Sequence, residues 1–182
     1  MKGGFDAWNG LVSTAEVDQG IYLIEGSEST EDFLALAYGL EGENCRLYTV
    51  LSGHVEDMET RVMFKMLAQL EETHQQHLWK RYLNTTGGTV SKEHFEKKIV
   101  TGILEHGRST EEMLKIFTSR IRSATDALET TMAFETDALD LYLRIAAKVA
   151  DKKVKDLFYY LSEEEKLHLK QLAEVFRSKI NT

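Results

Sequence analysis

Glu71 and His74 stand three residues apart, and so do Glu165 and His168. The first pair closes Leu67-Ala68-Gln69-Leu70-Glu71-Glu72-Thr73-His74. The second closes Leu161-Ser162-Glu163-Glu164-Glu165-Lys166-Leu167-His168. Both lie in long helical patterns, where positions i and i+3 share one face about one turn apart. A carboxylate and an imidazole spaced this way can grip one metal ion, or one ion each of a close pair. Thirty residues before Glu71 stands Glu41, and thirty before Glu165 stands Glu135. Tyr48 and Tyr142 follow these two by seven residues, nearly two helical turns, so each Tyr shares the stripe of its Glu. Every one of these positions maps onto its twin by adding 94, as do Phe64 and Phe158, Leu67 and Leu161, and Leu78 and Leu172. The chain therefore carries an internal repeat with its ionisable groups in register.

Glu41, Glu71, His74, Glu135, Glu165 and His168 fall within the apolar stripes rather than on the polar faces. A bare buried carboxylate costs several kcal/mol unless paired or metal-bound. Four of them in one core repel strongly, and two divalent cations resolve that repulsion, with neutral imidazoles completing the shells. Mixed carboxylate and imidazole donors without thiolate suit iron or manganese better than a structural zinc. Two Glu supplied singly and two Glu-x-x-His pairs, one element per helix, form the constellation of carboxylate-bridged di-iron bundles.

Four long helices must position these groups. The first is predicted over about 30–52, opening at the cap-type residues Ser27 to Thr30 and carrying Phe33, Leu34, Ala37, Leu40, Leu47, Tyr48 and Leu51 at helical spacing. Gly39 and Gly42 bracket Glu41, either as weakened turns or as room for a partner helix or ligand. The second spans about 54–84, with Val55, Met58, Val62, Met66, Leu67, Leu70, His74, Leu78, Trp79 and Tyr82 as its stripe. It stops at Thr85-Thr86-Gly87-Gly88. The third covers about 123–150 and the fourth about 152–179. Short turns make each pair antiparallel. The polar stretch over about 89–122, with short helices near 91–105 and 109–120, is long enough to carry the chain back along the bundle. The expected fold is all-α, a four-helix bundle with one long crossover, as in ferritin-like proteins.

Composition narrows the function class. The chain has 182 residues, no proline and a net charge of -8. The negative charge argues against a nucleic-acid partner. No apolar run approaches the roughly 20 residues of a membrane span, and the start lacks the pattern of a signal peptide. The single cysteine, Cys45, excludes an internal disulfide framework and a four-thiolate zinc site. A reducing cytoplasm is the simplest location.

The motifs Glu41-x6-Tyr48, Glu71-x-x-His74, Glu135-x6-Tyr142 and Glu165-x-x-His168 resemble the ferritin-like superfamily and, within it, the rubrerythrin-like group. The resemblance covers about residues 30–180. It implies a centre of two iron ions, manganese or a mixed pair being an alternative loading, that reacts with hydrogen peroxide or dioxygen. By the same resemblance Glu71 and Glu165 bridge, Glu41 and Glu135 are terminal, and one His serves each ion. A homodimer and an external electron-donor protein are also implied. Two departures stand out. Rubrerythrins proper carry a further carboxylate one turn after the third-helix ligand, where this chain has Ala138. The two cysteine pairs of a rubredoxin site are missing, since Cys45 is alone. A second, shorter resemblance concerns Gly3-Gly4-x-x-Ala7-Trp8, which is similar to the closing segment of a rhodanese domain. Residues 1–28 are accordingly expected to be a tail or rhodanese remnant, and 29–182 the bundle.

Around the expected site several residues have two readings. Tyr48 and Tyr142 either hydrogen-bond ligand carboxylates and relay protons, as catalytic groups, or are core aromatics with satisfied hydroxyls. Cys45 reads as a small buried hydrophobe more simply than as a redox group. His77 reads as a surface residue, with Gln171 as its twin, and Glu72, Glu163 and Glu164 as solvated charges. Three functions compete: a rubrerythrin-type di-iron peroxidase or oxidase, an iron-handling ferroxidase, and a non-catalytic metal-stabilised partner module.

Overall fold

The computed structural model describes residues 23–25, 28–105 and 107–180. The segment compared with a rhodanese domain lies outside the described residues. Four long helices dominate: α1 (Thr30–His54), α2 (Met58–Thr85), α5 (Ala124–Lys148) and α6 (Lys152–Ile180), with the short α3 (Lys92–Glu96) and α4 (Thr110–Arg120) between α2 and α5. No strand occurs among the described residues, and a single isolated bridge joins Ile103 to Ser109.

Local sequence explains where each helix starts. Ser29 and Asp32 form a reciprocal capping box at α1, as do Ser109 with Glu112 at α4 and Ser123 with Asp126 at α5. Such a box satisfies two of the amide groups that a helix start leaves without partners. The repeat extends into the turns. Val55 and Val149, again 94 apart, both adopt extended backbone past a helix end and are buried. Asp57 accepts a hydrogen bond from the Thr60 amide at the start of α2, and Asp151 accepts from Lys153 and Val154 at the start of α6. Each Val-x-Asp therefore stops one helix, plugs the bundle end and starts the next. With only three residues between them, α1 packs antiparallel to α2, and α5 to α6.

The crossover is less helical than the sequence suggests. A helix near 91–105 is expected, but only Lys92–Glu96 forms. Gly102 and Gly107 take positive φ values of 79° and 76°, a region costly to residues with a Cβ. The Leu104 amide bonds Arg108 and the Gly107 amide bonds Leu104, closing a tight turn. This turn carries Leu104 and Glu105 into the protein, both buried. Phe95 on α3, fully buried, lies 4.3 Å from Tyr82 and 5.0 Å from Trp79 between ring centroids. These two aromatics thus anchor the crossover to α2 within the chain.

The α2 stripe also needs correction. Met58, Val62 and Met66 are 66%, 57% and 38% exposed. The inward row is Thr60, Met63, Phe64, Leu67, Ala68, Glu71, His74, Leu78 and Tyr82. Steps of four residues overshoot a 3.6-residue turn by about 40° each, so a row built from such steps winds off the core face.

Two buried apolar clusters fill the bundle. One includes Leu40, Leu78, Tyr142, Phe158 and Leu161. The other includes Leu47, Tyr48, Leu67, Leu128 and Leu172. The ionisable residues of the repeat lie along the helices between and beside them.

Candidate metal centre

Each long helix delivers one part of the site: Glu41 from α1, Glu71 and His74 from α2, Glu135 from α5, Glu165 and His168 from α6. None of the six is more than 3% exposed. His74 Nδ1 lies 2.9 Å from Glu41 and 3.2 Å from Glu71. His168 Nδ1 lies 3.0 Å from Glu135, 3.3 Å from Glu165 and 3.6 Å from Glu71. The two imidazoles stack, with centroids 5.3 Å apart and planes 13° from parallel. All six predicted residues are therefore brought together. Glu71, Glu135, Glu165 and His168 offer ligand atoms mutually within 4.8 Å, as do Glu41, Glu71 and His74. Glu71 belongs to both groups.

The two tyrosines tie the halves of the repeat together. Tyr142 on α5 donates to Glu41 on α1 at 2.7 Å, and Tyr48 on α1 donates to Glu135 on α5. Each hydroxyl serves the carboxylate of the other half, which favours the reading of these residues as partners of the carboxylates. Burial pushes both phenols well above their ordinary range, and the neighbouring carboxylates add to it, so both remain proton donors.

The carboxylates are held in unequal states. Burial opposes ionisation of Glu41, yet hydrogen bonds involving His74, Glu71 and Tyr142 hold it down at about 2. Glu135 is likewise lowered against its burial by Glu165, His168 and Tyr48. Burial and the charge on Glu41 raise Glu71, and burial and the charge on Glu135 raise Glu165. Without metal, each pair thus shares a proton, since two buried carboxylates in contact cannot both ionise.

That arrangement leaves donors unused. Beyond the proton each pair shares, Glu71 Oε1 and both carboxylate oxygens of Glu165 are buried with no hydrogen-bond partner among the described residues, and Nε2 of His168, on the ring edge away from the carboxylates, has none either. Buried polar atoms are rarely left so. Lone pairs of this kind, with oxygen and imidazole donors and no thiolate, fit hard-to-borderline divalent ions. Cys45 is half-buried and belongs to neither ligand group.

Sequence reasoning did not assign Glu105 or Glu164 to the site. Glu105, 3% exposed, enters from the crossover and meets Asn44 Nδ2 at 2.9 Å and Tyr142 at 3.2 Å. Its own stretch has no period to mark it. The one signal was Asn44, an amide three residues after Glu41 on a buried face, which required a partner. Glu164 was read as a solvated charge, but its side chain is 26% exposed and lies 3.4 Å from His74 Nε2. Ala138, 1% exposed, packs in the core where a further carboxylate would stand. The space beside Gly39 and Gly42 is filled from within the chain: a Cβ at Gly39 would meet the Val100 carbonyl, and one at Gly42 the Gln75 amide. His77 is exposed, as expected.

Residues 32–176 match the family model described as Rubrerythrin. The chain belongs to the rubrerythrin family. The same bundle is seen in two solved structures to which this rubrerythrin-family chain is similar. A hypothetical protein from Pyrococcus furiosus is 23% identical, with 86% of this chain and 94% of that one covered at a TM-score of 0.54. A protein from Thermotoga maritima, assigned by its name to the ferritin-like diiron-carboxylate proteins, is 22% identical, with 84% and 97% covered at a TM-score of 0.55. No curated protein matches the sequence significantly. The rubrerythrin-family fold is thus ferritin-like and all-α, and its buried carboxylate and imidazole cluster fits a di-iron protein. No helix among the described residues is long and apolar enough to cross a membrane.

Proposed function

We propose that this chain is a non-haem di-iron oxidoreductase of rubrerythrin type that reduces hydrogen peroxide to water, with dioxygen as the alternative oxidant. The observation that carries this reading is the convergence of six buried donors, one set per helix, with orphaned lone pairs aimed among them. Glu41, Glu71, His74, Glu135, Glu165 and His168 would hold two iron ions, or manganese or a mixed pair. The membership of Glu71 in both ligand groups supports a bridging role for it, and the repeat extends that role to Glu165. When bound, a ferrous pair supplies two electrons and Lewis acidity for O–O cleavage.

The chain supplies the rest. Tyr48 and Tyr142 hold protons one hydrogen bond from Glu135 and Glu41, the positions from which a proton can follow charge into the site. The flanking apolar clusters keep bulk water away, which strengthens every electrostatic interaction inside. With one cysteine and no rubredoxin site in these 182 residues, electrons come from a donor outside them, an external protein or a further part of the polypeptide. A homodimer in a reducing cytoplasm completes the proposal, and the exposed apolar row Met58, Val62 and Met66 offers area for a second copy.

The test is to purify the protein anaerobically, count iron and manganese per chain, reduce it, and mix it with peroxide or with air. About two irons per chain oxidised much faster by peroxide is the expected result. Faster oxidation by dioxygen would move the reading to an oxidase or an iron-handling ferroxidase. Less than one transition metal per chain after reconstitution would overturn it.

A further inference from the structure

The repeat is broken around its two imidazoles. Glu164 Oε2 lies 3.4 Å from Nε2 of His74, on the ring edge opposite the carboxylate cluster. One turn earlier on α6 stands Tyr160, and burial and the neighbouring Glu164 charge push its phenol up. The Tyr160 hydroxyl also lies 3.5 Å from His77 Nδ1, and the Arg81 guanidinium sits 5.3 Å over its ring. Moving by 94 residues replaces Glu164, Tyr160, His77 and Arg81 with Leu70, Met66, Gln171 and Val175. Of these only Gln171 is polar, and its Oε1 has no partner among the described residues. His168 Nε2 has none either.

The difference bears on metal affinity. Both rings turn Nδ1 towards the carboxylates, so a ligating ring must carry its proton on Nε2. A carboxylate at Nε2 fixes that tautomer, orients the ring and makes Nδ1 a stronger donor. His74 has this support and His168 does not.

We propose that Glu164 is a positioning residue that makes the two metal positions unequal. The Glu41–His74 position takes a divalent transition-metal ion first and more tightly, and Glu164 holds the ring. The Glu135–His168 position fills second. The inference rests on the two-metal reading above.

The experiment is an anaerobic calorimetric binding isotherm with Mn(II), read on the whole chain and independent of turnover. Wild type is expected to bind two ions in two distinguishable steps. E164L should weaken the tighter step about 10–100-fold and leave the weaker one in place, and E164Q should lose less. L70E places a carboxylate at the twin position and should tighten the weaker step alone, a gain that misfolding cannot mimic. Two indistinguishable wild-type steps, equal weakening of both steps in E164L, or no tightening in L70E would overturn the assignment while sparing the two-metal reading. Failure of wild type to bind any Mn(II) or Fe(II) would instead sink that reading and this one with it.

Discussion

Tyr142 and Glu105 meet at 3.2 Å, and the same hydroxyl lies 2.7 Å from Glu41. One phenolic proton stands between two carboxylates. It goes to Glu41, which is ionised, so Glu105 is best satisfied as the neutral acid. Burial, with the charge on Glu41 added, pushes the Glu105 carboxyl from its ordinary 4.5 up to about 8.

This shift has a defined pH signature. A raised carboxyl means that the folded, metal-free chain holds the proton more tightly than the unfolded chain. The cost of Glu105 is therefore absent below about pH 4.5, grows by about 1.4 kcal/mol per pH unit up to about pH 8, and is constant above. E105Q removes it. Urea unfolding of the metal-free protein should show the variant gaining on wild type from pH 5 to pH 8, by a few kcal/mol at the upper end. A difference that does not vary with pH would contradict the neutral-acid assignment.

Removing donors should lower metal content unequally. Glu71 lies in both ligand groups, whereas His168 lies in one. E71A is expected to lose most of both ions, and H168A about one of two. Metal analysis after anaerobic reconstitution decides it, and equal losses in the two variants would argue against a shared Glu71.

The tyrosine exchange across the repeat should matter for stability. Y142F removes the phenolic donor that Glu41 and Glu105 share, leaving His74 and Asn44 as their remaining partners, a loss of about 1–3 kcal/mol. Y48F does the same to Glu135. Chemical denaturation of the metal-free variants measures this, and a change within about 0.5 kcal/mol for both would show the hydroxyls to be passive.

Gly39 and Gly53 on α1 should respond oppositely to alanine. A Cβ at Gly39 meets the backbone of the crossover at Val100, while one at Gly53 meets nothing within 4 Å. G39A should destabilise by about 1–3 kcal/mol, and G53A should stabilise by up to about 1 kcal/mol. Thermal melts of both variants provide the check.

The six central residues are legible in the sequence because two physical rules coincide in them. Spacing of three places Glu and His on one helix face, and carboxylates on an apolar stripe demand compensation that random surface charges do not. Repetition at a constant offset then joined Glu41 to Glu71 and Glu135 to Glu165. The bundle followed from helical periodicity, and even the Val-x-Asp turns obey the repeat. Tertiary structure alone decided what has no period. Glu105 reaches the site because glycine-permitted turns bend the crossover inward, and no local pattern encodes that path. Glu164 becomes a partner of His74 only because α6 lies against α2 at that height. Likewise, which carboxylate each tyrosine serves depends on how two hairpins of one repeat are laid against each other. Sequence spacing determines which residues share a face, but packing between elements determines which faces meet.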